Sequence, residues 1–180
     1  GEDIAILSED TLNIYGATAA AGEDIQLSAD NGITIEAAQN ESYQYSRVKQ
    51  KKSWGRSRTT IHESFTTRNV GGDLTAGNNL TINSTINGDN SVTANANRGD
   101  VTIIGSDVTA ENQVAIAGDS VTIADKKEIT FSRTEVHKKG FGGLSSKSTG
   151  RINRTELLQK SEIAANTRDL NLISGSNIAV

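Results

Sequence analysis

The chain has 180 residues, of which 34% are hydrophobic and 4% aromatic, and 22 acidic against 18 basic side chains leave a formal net charge of -4. So little apolar bulk excludes a conventional globular core of this length, and the charge argues against a general nucleic-acid binder. Cys is absent, which excludes disulfides and thiolate chemistry, and Pro is absent too, while Val, Ile, Leu and Thr fall in short alternating runs that suit strands rather than disorder.

The first elements predicted are short strands over residues 1–35. Gly-Glu-Asp-Ile occurs at Gly1 and again at Gly22, and the offset continues from Ile6 to Leu27, from Leu12 to Ile33 and from Ile14 to Ile35. Apolar-x-apolar triplets such as Ile4/Ile6 and Leu12/Ile14 predict strands with one buried face, separated by Gly, Asn and Asp at tight corners. A repeat of about 20–21 residues is the signature of a solenoid whose successive coils stack as parallel strands.

An excursion over residues 36–70 breaks this pattern. Tyr43, Tyr45, Arg47 and Lys49 alternate with Gln44, Ser46 and Val48, then comes Ser53-Trp54-Gly55-Arg56, and a returning arm sets Arg58, Thr60 and His62 against Thr59, Ile61, Glu63 and Phe65. This reads as a projecting β-hairpin.

Coils resume over 71–123, where Leu80/Ile82 stand 21 residues before Val101/Ile103, and these stand 20 before Val121/Ile123. A second excursion, 124–162, repeats the first. Ser132-Arg133 echoes Ser46-Arg47, Lys138-Lys139 echoes Lys51-Lys52, and Phe141-Gly142 echoes Trp54-Gly55. Gly140, Gly142 and Gly143 predict a looser tip, and Glu156-Leu157-Leu158-Gln159 is open to a helical turn. A last coil covers 163–180. The expected architecture is an all-β right-handed parallel β-helix, one segment of two tandem units with projecting hairpins, its handedness taken from the crossover rule.

The motifs Val70-Gly71-Gly72-Asp73-Leu74-Thr75-Ala76-Gly77-Asn78-Asn79-Leu80-Thr81-Ile82 and Ile104-Gly105-Ser106-Asp107-Val108-Thr109-Ala110 resemble the haemagglutinin repeats of filamentous-haemagglutinin-like exoproteins. The Ser-Arg, Lys-Lys and aromatic-Gly excursions are similar to those of the second repeat class, found in contact-dependent growth inhibition proteins and in related adhesins. The resemblance covers nearly the whole chain. It implies a segment secreted to the surface of a Gram-negative cell by two-partner secretion through an outer-membrane transporter, and a part in carrying a toxin across a target cell's outer membrane. Neither the Asn-Pro-Asn-Gly secretion motif nor the Val-Glu-Asn-Asn motif before many toxin domains occurs. With no Met and no signal peptide, the chain is expected to be an internal piece of a longer protein whose uncapped ends, Ile178 and Val180 among them, associate end to end.

Charge is concentrated in the excursions. Arg47, Lys49, Lys51, Lys52, Arg56 and Arg58 surround Trp54 without an acid, and Arg133, Lys138, Lys139 and Lys147 accompany Phe141. These residues are the candidate envelope-binding site, suited to lipopolysaccharide phosphates, a surface glycan or protein, or a membrane interface. The competing reading is edge protection, since Lys-rich strands resist pairing with other chains. Nucleic acid is disfavoured because no recognition motif accompanies the charge.

The other candidates read as structural. Asp3, Asp24, Asp73, Asp100 and Asp119 could be the acids of a polysaccharide-degrading β-helix, yet each sits at a routine corner where Asp bonds its own turn. His62 and His137 do not match between units, and no metal or other cofactor is implied. Arg98-Gly99-Asp100 is likewise a routine corner. The expected function is non-enzymatic engagement of a target envelope in toxin delivery, the alternatives being an adhesin stalk and a polysaccharide-degrading enzyme.

Overall fold

A computed structural model describes residues 2–84 and 99–180, and divides the chain into two compact units. The first comprises residues 1–39, 69–126 and 158–180, and the second residues 40–68 and 127–157.

The first unit is all β and its strands pair in parallel. The chain runs through β1 (Ile4–Ser8), β2 (Thr11–Tyr15) and β3 (Ala19–Ala21), then β4 (Ile25–Ala29) and β5 (Gly32–Glu36). The strands β6 (Ala38–Lys51) and β7 (Ser57–Val70) lead to β8 (Leu74–Ala76), β9 (Asn79–Asn83), β10 (Asp100–Ile104), β11 (Val108–Ala110) and β12 (Gln113–Ala124). Then come β13 (Lys126–Lys139), β14 (Ser146–Gln159), β15 (Ile163–Ala165) and β16 (Leu170–Ala179).

Three ladders are visited in turn. One joins β1, β4, β9 and the first half of β12, another joins β2, β5, β10 and the second half of β12, and the long β16 pairs with both halves. The third joins β3, β8, β11 and β15. Because parallel neighbours share register, like residues stack in columns. Ile4, Ile25, Leu80, Val114 and Leu170 form one, and Ile14, Ile35, Ile103 and Ile123 another. The third ladder is narrower, with Ala21, Ala76, Ala110 and Ala165 in a single column. Side chains from all three meet in one buried cluster, where Leu80, Ile82, Val101, Ile103, Val114 and Ile116 are fully covered. The small core forecast from composition is thus a line of β-branched and Leu side chains, each worth about 1.5–3 kcal/mol when fully buried.

The 21-residue offset holds between β1 and β4 and between β2 and β5. It fails for Leu80 and Val101, which belong to different ladders: Leu80 stands between Ile25 and Val114, and Val101 between Ile33 and Val121. The corner Asp residues also behave differently from expectation. Their carboxylates accept bonds from the adjoining coil rather than from their own turn. Asp3 accepts from Asp24 N–H at 3.0 Å, Asp24 from Asn79 N–H at 2.9 Å, and Asp100 from Ser120 N–H at 3.2 Å. Stacked corners leave each turn's N–H pointing along the column, where the neighbouring coil's acceptor is nearest. Arg98 of the Arg-Gly-Asp triplet lies outside the described residues.

The second unit is one sheet of four strands in the order β14-β13-β7-β6. Two hairpins were expected, and they join: the second strand of the first hairpin pairs antiparallel with the first strand of the second, from Thr66 opposite Thr130 to Ser57 opposite Lys139. β14 is extended through Gln159, so Glu156–Gln159 forms no helical turn. Thr-rich alternation with few Gly keeps these long strands regular.

Candidate functional site

The tips of the two hairpins come together. Residues 52–56 close the first, with Lys52 N–H donating to Arg56 C=O at 2.9 Å. Trp54 and Gly55 both take the left-handed conformation, at φ 65° and 67°. The second tip is a 3-10 turn at Phe141–Gly143, closed by a Gly140 N–H to Ser145 C=O bond of 2.8 Å. The rings of Trp54 and Phe141 lie 6.0 Å apart between centroids and are tilted by 41°, a favourable aromatic contact. Trp54 nevertheless remains 73% exposed, Phe141 56%, and Leu144 89%.

The candidate cations divide by face and by distance from the tips. Arg47, Lys49 and Lys139 join Ser57, Thr59, Ile61 and His137 around a groove of about 370 Å³. Arg58 and Lys138 are cross-strand partners whose alternation places them on the opposite face, where Lys147 also lies. Lys51, Lys52 and Arg56 flank the first tip. None of these nine cations has an acidic ion-pair partner among the described residues. Arg58 directly opposite Lys138 is a like-charge pair, which works against sheet pairing.

Arg133 is the exception. It pairs with Glu135 and lies 3.9 Å from Glu63, which accepts the Tyr43 hydroxyl bond at 3.1 Å. Glu135 also meets His137 Nε2 at 3.3 Å, and His137 Nδ1 lies 2.9 Å from Ser148 Oγ. This belt through four strands was not visible in the sequence, because its members become neighbours only once cross-strand register is known. It neutralises the sheet away from the tips and leaves the cations near the tips unbalanced.

The belt shifts its own titrations. The Arg133 hydrogen bond, followed by that from His137, holds the Glu135 carboxyl below the ordinary glutamate range, and Lys127 does the same for Glu156. The Glu63 acceptor raises the Tyr43 hydroxyl. Depressed carboxyls stabilise the folded sheet fully above the unfolded-state glutamate pKa, and that contribution disappears as pH falls through the lower folded values. In carboxyl-resolved NMR titrations, Arg133→Ala is expected to move the Glu135 midpoint upward. An unmoved midpoint would show that the pair does not form in solution.

Stacked parallel ladders in one unit and an antiparallel sheet in the other, with sequence repeats recurring in both, define an all-β repeat protein. The family model described as Hemagglutinin repeat matches residues 1–59 and 52–179, and the chain belongs to that family as a filamentous-haemagglutinin-like repeat protein. The family suggests an adhesin-like repeat segment of a secreted or surface-exposed protein. No curated protein and no solved structure matches the chain.

Proposed function

We propose that this chain is a non-enzymatic stalk segment of a Gram-negative exoprotein, exported through a two-partner-secretion outer-membrane transporter and engaging a target cell's envelope during contact-dependent toxin delivery. Its first unit is read as a right-handed parallel β-helix of 20–21 residues per coil. The β-helix supplies length, and the hairpin sheet supplies contact.

The observation that carries this reading is Trp54. A bulky side chain in the left-handed region costs about 1–2 kcal/mol relative to Gly, and the contact with Phe141 returns about 0.5–1.5 kcal/mol of this while leaving the ring 73% exposed. Folding alone therefore gains little from Trp over Gly at this position. A ring left this exposed, against Phe141 and with unpaired cations on the flanking residues, has the composition of an interfacial anchor: aromatic groups at the acyl boundary, Lys and Arg at the phosphates. Edge protection does not account for Arg58, Lys138 and Lys139, which stand on the inner strands β7 and β13.

The groove of Arg47, Lys49 and Lys139 with the Ser57 and Thr59 hydroxyls favours a second reading, an adhesin that takes a sulfated or phosphorylated glycan. One comparison separates the two. Trp54→Gly removes the ring and its Phe141 contact while relieving the backbone, so its unfolding midpoint should stay close to that of the native chain. The delivery reading expects this variant to lose about tenfold in affinity for lipopolysaccharide-containing outer-membrane vesicles while sulfated-glycan binding is absent or weak. The adhesin reading expects saturable glycan binding that survives Trp54→Gly and is lost in Arg47→Ser, Lys49→Ser. Native-like vesicle binding by Trp54→Gly would end the anchor proposal.

A further inference from the structure

Among the described residues, the hairpin sheet has two open sides. Its outer strands β6 and β14 are each 14 residues long and exposed along nearly their whole length. They also hold exposed apolar side chains: Tyr43, Tyr45 and Val48 on β6, and Ile152, Leu157 and Leu158 on β14, all more than half exposed. On the inner strands, Ile61, Phe65, Phe131 and Val136 are partly covered. Long outer strands are ordinarily blunted by bulges, Pro or charge along their length. Here the cations of β6 sit in its half nearest the tip, and Tyr43 and Tyr45 occupy the rest.

The internal seam of the sheet shows what such strands accept. β13 is the repeat of β6 and β14 the repeat of β7, so the β7–β13 contact joins the second strand of one unit to the first strand of the next. We infer that β14 of one chain pairs antiparallel with β6 of a second copy in the same way, extending the hairpin sheet from unit to unit. Matching the four equally long strands by their ends fixes the register. Ile152 then faces Tyr45, as Glu63 faces Arg133, and Arg154 faces Tyr43, as Phe65 faces Phe131. Lys49 and Arg47 meet Ser148 and Gly150, without like charge. Glu156 would face Glu41, with Lys127 and Arg154 already paired to Glu156. Of the exposed apolar groups, Ile152 and Tyr45 thus meet directly on the joining strands, and each added unit brings another aromatic tip to the row. The join is head to tail, so it propagates rather than closing as a symmetric dimer.

The chain has no Cys, so introduced thiols report this contact alone. Ile152→Cys and Tyr45→Cys, both at exposed positions, are made in separate full-length chains, mixed and mildly oxidised, and the mixed disulfide is identified by mass. Directly opposed residues lie about 4.5–5.5 Å apart between Cα atoms, within disulfide reach. The expected result is at least a tenfold excess of the mixed disulfide over that formed by Ile152→Cys with Val48→Cys, which points to the other face of β6. Equal yields from the two mixtures would overturn the inference, whether the chain is monomeric or associates through its coil ends.

Discussion

Ile103→Ala is expected to lower the unfolding free energy by about 3–4 kcal/mol, read as a shift of the urea midpoint at unchanged slope. Ile103 is fully buried, and its column continues on both sides, to Ile35 in one direction and Ile123 in the other. In stacked ladders a neighbour cannot slide in to fill the vacancy, because every strand is held by register on two sides, so the cavity persists and the upper part of the usual Ile→Ala range applies. Ile178→Ala is the internal control. It pairs with Val121 but remains 44% exposed on the last strand, and its truncation should cost less than about 1 kcal/mol. Equal losses at the two sites would mean that the columns do not form one continuous core.

Stacking also explains what could be read from the sequence and what could not. Ile4 to Ile25 and Leu12 to Ile33 were legible because whole corners repeat along with the apolar triplets. Leu80 and Val101 misled because an apolar triplet looks the same on any ladder: a 21-residue spacing identifies a strand but not the face it occupies. The hairpins were visible as alternation, whereas their union through β7 and β13 was not, since pairing between segments so far apart leaves no local pattern. The candidate site shows the same division. The cations and aromatic tips stand out in composition, while the assignment of Arg133 to Glu135 and Glu63, away from the unpaired cluster, required the register of the strands that bear them.

Gly71→Ala is expected to cost about 2–5 kcal/mol, because two penalties fall on one atom. Gly71 has φ 72°, which costs an Ala about 1–2 kcal/mol. A methyl group there would also lie 2.4 Å from the Gly16 carbonyl oxygen and 2.6 Å from its carbon. Both are backbone atoms of the adjoining coil, so no rotamer change relieves the clash and the coils must separate, adding about 1–3 kcal/mol. Their closeness follows from the chain path: this is the corner where the chain returns from the first hairpin, and Gly72 N–H immediately donates to Ala17 C=O at 2.9 Å. Gly142→Ala separates the two costs, since φ is 58° there but the added carbon meets open space. It should lose only the conformational part. Urea unfolding of both variants gives the comparison, and a Gly71→Ala loss no larger than that of Gly142→Ala would mean that the two coils do not meet backbone to backbone at this corner.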